Sequence, residues 1–240
     1  MPNDYFEFQQ FRIAQAACAM KVSTDACLLG AVADLHGATR LLDIGTGTGL
    51  LALMAAQRHP GVDIEAIEID EAAAAQAAEN VAASPWASRI RVQPLSLAAY
   101  AGTQPASFSH IICNPPFFQQ SLRSPDAARS TARHTAPDTL SFAELAGFAA
   151  EFLASNGLLT VLLPPLEMAA FEREAGQVQL HPATRLVVRH RAGSRVLRHI
   201  VGFRRVAGPV VETELAIRAT AGEDYSPAFR ALLAGFYLAL

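Results

Sequence analysis

Leu41-Leu42-Asp43-Ile44-Gly45-Thr46-Gly47-Thr48-Gly49 is the stretch on which the fold turns. A short apolar run, Arg40 to Ile44, carries Asp43 near its end and stops at a glycine-dense turn. A helical pattern, Leu50 to Arg58, follows at once. Strand, tight turn and helix in that order build a ligand site at the carboxyl end of a parallel strand. Gly45, Gly47 and Gly49 allow backbone angles and a close approach that a Cβ would block. The next apolar run, Val62 to Ile67, ends at Glu68. An acid at the tip of a second strand can hold both hydroxyls of a ribose.

The glycine spacing is Gly-x-Gly-x-Gly, not the Gly-x-Gly-x-x-Gly of dinucleotide-binding turns. No pyrophosphate then needs cradling, so the ligand need not be NAD. Asp43, ahead of the first glycine, points instead to the positively charged methionyl part of S-adenosylmethionine (SAM). A glycine-rich turn by itself is often only a turn. Strand, acid, three glycines, helix, strand and second acid together read as a cofactor site. Asp43, Gly45, Gly47, Gly49 and Glu68 are its candidate contacts.

A chain of 240 residues, 51% hydrophobic, can form one α/β domain with a full core. The net charge of −3 gives no overall drive toward nucleic acid, so any RNA contact must come from local basic patches. The start, Met1 to Glu7, has neither a basic cluster nor an apolar run, and so does not read as a signal peptide. No apolar stretch is long enough to span a bilayer. Cys18, Cys27 and Cys113 are scattered and odd in number. They read as reduced thiols of a cytoplasmic protein, not as a disulfide frame or a zinc site.

Phe6, Phe8, Phe11 and Ile13 predict a short hairpin or a flap. Ser23, Thr24 and Asp25 can cap a helix from about Ala26 to Leu35. Functionally, the Met20–Gly30 segment reads as a loop closing over the cofactor, with Lys21 and Thr24 as further candidate contacts. Residues 1–36 would then form an N-terminal cap on a single domain of residues 1–240. Beyond Arg40, strands are expected at Arg40–Ile44, Val62–Ile67, Ile90–Gln93, Phe108–Cys113 and Leu158–Leu163. Helices are expected at Leu50–Arg58, Glu71–Ala82, Ser141–Ala154 and Leu166–Glu174, with Asn156-Gly157 as the C-cap of the third. A hairpin, Arg185–His190 with Leu197–Arg205, and a helix from Ser226 to Ala239 close the chain. The expected class is α/β: a seven-stranded, mostly parallel sheet with helices on both faces and an antiparallel last strand.

Asn114-Pro115-Pro116-Phe117 follows the fourth of these strands, whose tip lies beside the glycine turn. Two prolines fix the backbone and remove two N–H donors. What remains is the Asn114 amide oxygen, the Pro115 carbonyl and the flat faces of Phe117 and Phe118. Acceptors beside a stacking face suit a planar substrate carrying an –NH2 group. Such an amine is a poor nucleophile because its lone pair is delocalised. Two acceptors gripping its hydrogens favour a pyramidal nitrogen with the lone pair aimed at a sulfonium methyl. Asn114 cannot be a general base; proton loss can follow the transfer. The candidate catalytic residues are Asn114, Pro115 and Phe117; Asn114 faces the acceptor amine and is also counted among the candidate cofactor-binding residues.

This motif resembles that of amino-methyltransferases acting on adenine N6, guanine N2 or glutamine amides. A narrower resemblance is to the bacterial valine-tRNA adenine-N6 methyltransferases. It is carried by Phe8–Gly30, Leu42–Leu50, Glu68-Ile69-Asp70, Ser84-Pro85-Trp86, Asn114–Phe118 with Ser121-Leu122, and Arg129–Thr135. The resemblance implies the class I SAM-dependent methyltransferase fold, with sheet order 3-2-1-4-5-7-6. It also implies methylation of the adenine just 3′ of the anticodon. Two positions depart from the pattern. Ser23 stands where glycine is usual. Ser96 stands where an acid often holds the cofactor's adenine amine, and a hydroxyl would accept that bond more weakly.

Basic segments fit a tRNA substrate. Arg123, Arg129, Arg133 and His134 follow the catalytic turn, and Arg129 and Arg133 are spaced to share a helix face. Arg185, Arg189, His190, Arg191, Arg195, Arg198 and His199 crowd the late hairpin, with Arg191 and Arg195 at its tip. No metal-ligand spacing, membrane segment or Ser-His-Asp set stands out, and a monomer is in keeping with the sequence. The competing activities are methylation of a protein glutamine at N5, which needs no basic rim, and methylation of guanine N2 in rRNA. A non-catalytic SAM- or RNA-binding module is opposed by the intact Asp43, Glu68 and Asn114.

Overall fold

The computed structural model describes residues 4–116 and 140–239. The chain opens with a two-stranded antiparallel ribbon, β1 (Tyr5–Glu7) and β2 (Arg12–Ala14), then α1 (Thr24–Val32). The alternating core follows: β3 (Arg40–Ile44), α2 (Leu50–Arg58), β4 (Asp63–Ile67), α3 (Glu71–Ala82), β5 (Ile90–Gln93), α4 (Leu97–Gly102) and β6 (Phe108–Cys113). After the undescribed residues come α5 (Phe142–Phe152), β7 (Leu153–Leu163), α6 (Pro165–Gln177), β8 (His181–Arg189), β9 (Val196–Arg204), β10 (Val211–Ala216) and α7 (Pro227–Leu233).

The large sheet runs β10-β8-β9-β7-β6-β3-β4-β5. Seven of its strands, β5-β4-β3-β6-β7-β9-β8, reproduce the expected 3-2-1-4-5-7-6 order. An eighth, β10, pairs parallel with β8 at the edge. The antiparallel strand is therefore β9, and the last strand in the chain is parallel. Val211, Thr213 and Leu215 alternate with Glu212 and Glu214 along β10, but of these only Leu215 is buried, as befits a short edge strand.

Consecutive side chains of β3 serve opposite faces, as a strand requires. Leu41 joins one core with α1, α2, α7 and the ribbon's Phe8, Phe11 and Ile13. Leu42 joins the other with α5, α6 and Tyr100 of α4. Both leucines are fully buried, each contributing about 1.5–3 kcal/mol.

Other boundaries differ from expectation, among them α1, which starts at Thr24 and ends at Val32, and β8, which starts at His181. Asn156 and Gly157 lie inside β7, not at a helix end. A Cβ on Gly157 would sit 2.7 Å from the Leu153 side chain, so the glycine serves a close approach at the start of the strand. Ser96 caps α4, a helix too short to leave a periodic pattern. The closing helix stops at Leu233, and Phe236 and Tyr237 turn back to donate to the Leu233 carbonyl.

Candidate active site

The carboxyl ends of β3, β4 and β6 converge on one edge of the sheet. At the tip of β3 the turn glycines adopt left-handed angles, with φ of 69° at Gly45, 56° at Gly47 and 82° at Gly49. Side chains are strained there, which accounts for three glycines in five positions. The turn is strapped to β4, since the amides of Gly45 and Thr46 both donate to the Ile67 carbonyl. The Gly47 amide donates to Glu68 Oε2 at 2.9 Å, and the Asp70 amide to Glu68 Oε1 at 3.1 Å.

Asp43 is wholly buried beneath this turn. Its Oδ2 accepts from the Thr46 hydroxyl at 2.6 Å, while its Oδ1 is buried with no hydrogen-bond partner among the described residues. Burial pushes its carboxyl up to about 7; the Thr46 bond and the Ala52 backbone amide oppose the rise, and the nearby Glu68 adds to it. A buried carboxylate held by so few donors favours a cation beside it.

Above the turn opens a cavity of about 340 Å³, the size of a small-molecule site. Lys21, Gly45, Gly47, Glu68, Ser96, Asn114 and Pro115 line it. Asp43 and Gly49 do not; they support its floor, and Gly49 starts α2. Thr24 lies off the cavity, in the first turn of α1. Ser96 accepts from the Ala99 amide at 3.1 Å, so its hydroxyl caps a helix at the cavity wall. Asn114 follows β6, and its Oδ1 is buried with no hydrogen-bond partner among the described residues. Beside it the Cys113 thiol is fully buried and held well above its usual range by burial, so it stays protonated. Phe117, Arg123, Arg129, Arg133 and His134 lie outside the described residues.

β8 runs parallel to the core, so the β8–β9 turn lies on the same sheet edge as Asn114, about 15 Å of strand spacings from β6. Its arginines have partners within the chain. Arg185 pairs with Glu172 at 2.7 Å, Arg189 with Glu214 at 2.8 Å, and Arg198 with Asp25 at 2.7 Å. Arg191 pairs with Glu223 at 2.8 Å and also donates to the Ala219 and Gly222 carbonyls. Arg195 is exposed and has no acidic partner among the described residues. Sequence reading missed Thr46, Gln15, Gln76 and Asn80, which hold the site's backbone. The available signal was a pair of amides, Gln76 and Asn80, spaced i, i+4 in an alanine-rich helix.

Among the described residues no group of His, Cys, Asp and Glu could hold a metal ion, and no helix is long and apolar enough to cross a membrane. The sheet order, the acid–glycine turn and the Asn-Pro-Pro tip together define a class I SAM-dependent methyltransferase. Residues 21–165 match the family model of the methyltransferase small domain. The chain belongs to the family of tRNA1(Val) (adenine(37)-N6)-methyltransferases. A relative of that name from Pseudoalteromonas translucida is 42% identical over 97% of this chain and 98% of its own length. Another, from Bacteroides thetaiotaomicron, is 41% identical over the whole of both. The fold is shared with a solved structure described as a predicted O-methyltransferase from Agrobacterium tumefaciens. That match has a TM-score of 0.68 at 21% identity and covers 88% of this chain and 96% of the other. A ribosomal protein L11 methylase from Lactobacillus delbrueckii matches with a TM-score of 0.56 at 16% identity, over 80% and 83%.

Proposed function

We propose that this chain transfers a methyl group from SAM to the N6 amine of adenine 37, beside the anticodon of tRNA1(Val), in the cytoplasm. The observation that carries the reading is the buried Asn114 Oδ1, without a hydrogen-bond partner among the described residues, at a cavity floored by the acid–glycine turn. Full-length relatives named for that substrate support it. The proposed unit is a single domain of residues 1–240, with 1–36 as its cap. In support, Phe8, Phe11 and Ile13 share a core with α1 and α2.

The cofactor residues fit their ligand by chemistry. Glu68 faces the cavity with its carboxylate held by two backbone amides, ready to accept ribose hydroxyls. Asp43 places negative charge under a sulfonium and an ammonium. When bound, SAM supplies an electrophilic methyl on that sulfonium. Asn114 Oδ1 and the Pro115 carbonyl accept from the two amine hydrogens and orient the nitrogen lone pair. Phe117 is assigned to stack on the adenine, which an unpaired anticodon loop presents at low cost. Arg123, Arg129, Arg133, His134, Arg191 and Arg195 are assigned to the tRNA backbone. The Arg191–Glu223 pair can give way to a phosphate, because Glu223 is exposed and such a pair contributes only about 0–1 kcal/mol, while the Ala219 and Gly222 carbonyls hold the guanidinium in place.

The deciding experiment incubates the protein with methyl-labelled SAM and separate tRNA, ribosome and protein fractions. Label in tRNA, as N6-methyladenine, supports the proposal. Label confined to protein moves the reading to glutamine N5, and label in rRNA to guanine N2. Glu68→Ala is expected to weaken SAM binding by about 1–3 kcal/mol, the cost of losing hydrogen bonds to a charged group. Unchanged affinity by calorimetry would remove Glu68 from the site. tRNA affinity is expected to fall steeply with salt. Removing Arg133 or Arg195 is expected to flatten the log–log slope by about one unit without changing SAM affinity. A salt-insensitive complex contradicts the basic-rim assignment.

A further inference from the structure

We propose that Asn80 is a positioning residue that locks the glycine turn to the N-terminal wall of the cofactor cavity. Asn80 is 4% exposed, on the inner face of α3. Its Oδ1 accepts from the Ala14 amide at 2.8 Å. Its Nδ2 donates to the Ala14 carbonyl at 2.8 Å and to the Thr48 carbonyl at 2.9 Å. One side chain thus spends both amide hydrogens and its oxygen on two segments of backbone far apart in sequence. Thr48 stands between the last two glycines of the turn, and Ala14 belongs to the N-terminal ribbon.

The tie continues on both sides. Gln76, one helical turn earlier, accepts from the Ala17 amide at 3.3 Å, so the same face of α3 holds residues 14–17. Gln15 Oε1 accepts from the Val22 amide at 2.8 Å, and its carbonyl accepts from Lys21 Nζ. Lys21 and Val22 line the cavity on one wall, and Gly47 and Thr48 line it on another. A chain of hydrogen bonds therefore runs from Val22 through Gln15, Ala14 and Asn80 to Thr48. The ribbon is also anchored on its outer side, where Gln9 Nε2 donates to the Ala234 and Tyr237 carbonyls and its amide to the Phe236 carbonyl. With the tie cut, the ribbon stays on the C-terminal segment and the turn is left to its own strap on β4. Asn80 does not line the cavity and acts only through Thr48 and Ala14. A fully satisfied buried polar network of this kind specifies one geometry.

The inference rests on SAM as the ligand of this cavity. Asn80→Asp keeps the shape and one acceptor but sets a carboxylate against two carbonyls. Asn80→Leu keeps the branching and the number of side-chain heavy atoms and leaves three backbone groups unpaired. For either variant the calorimetric Kd for S-adenosylhomocysteine and the KM for SAM are expected to rise about 10- to 100-fold. The kcat at saturating SAM is expected to stay within about twofold. A residue that merely supports the fold would lower Tm and leave Kd and KM unchanged well below melting, and that result overturns the proposal. A measurement on the unaltered protein covers the case in which neither variant folds. Saturating S-adenosylhomocysteine is expected to slow hydrogen exchange at the Ala14 amide, and unchanged exchange there overturns the proposal too. Failure of the unaltered protein to bind S-adenosylhomocysteine is a separate, visible outcome; it overturns the cofactor reading and this inference with it.

Discussion

Asn114→Ala is expected to leave SAM binding nearly intact while turnover on tRNA falls by about 100- to 1000-fold, the scale for losing one preorganised polar contact to the reacting centre. The geometry separates the two readouts. Asn114 Oδ1 is buried and accepts no hydrogen bond within the described residues, so losing that oxygen breaks no hydrogen bond among them. Deleting an unsatisfied buried acceptor relieves a desolvation cost of about 1–3 kcal/mol, which offsets the small cavity left behind. Folding and cofactor binding therefore change little, and the loss falls on an interaction realised as the amine pyramidalises. Such a loss lowers kcat and kcat/KM together. Steady-state kinetics on tRNA with parallel calorimetry would resolve it, and normal turnover by Asn114→Ala would falsify the catalytic role.

The parts legible from sequence are those that local backbone physics dictates. The strand Arg40–Ile44, the helix Leu50–Arg58 and the helix Glu71–Ala82 have the bounds read from their patterns. Their ends are set locally, by three left-handed glycines and by Asp70, whose carboxylate caps α3 through the Ala73 amide. The parts that escaped depend on partners distant in the chain. Asp25 and Arg198 pair across 173 residues, and nothing near either predicts it. An arginine-rich hairpin therefore reads as a free basic rim when much of its charge is matched by Glu172, Glu214, Glu223 and Asp25. Asn80 escaped for the same reason, since its role exists only once Ala14 and Thr48 are adjacent in space. Asp43 was legible as a residue but not as a depth. The motif placed it against the ligand, whereas the fold puts it under the floor.

That depth makes the second large effect a pH effect. Burial holds the Asp43 carboxyl at about 7 in the folded protein, against 3.8 for the ordinary group. Between those values the folded state binds a proton that the unfolded state does not. Without ligand, stability therefore falls as pH rises from about 4 to 7 and levels off above. The span bounds the loss at about 4 kcal/mol. Asp43→Asn removes the titration, so the variant's Tm is expected to exceed that of the unaltered protein at pH 8 and to converge with it only near pH 4. SAM affinity is expected to run the opposite way. A cation above the floor favours the ionised carboxyl, so binding is tight above pH 7 and weakens as pH falls through it. Binding at pH 7 should release a fraction of a proton, measurable as a dependence of the calorimetric heat on buffer ionisation. Asp43→Asn should lose about 10- to 100-fold in SAM affinity at pH 8, the range for removing a charged partner of a cation, and should lose the pH dependence with it. A flat affinity profile in the unaltered protein between pH 6 and 8, or an Asp43→Asn variant that binds SAM normally, would mean the buried carboxyl takes no part in holding the cofactor.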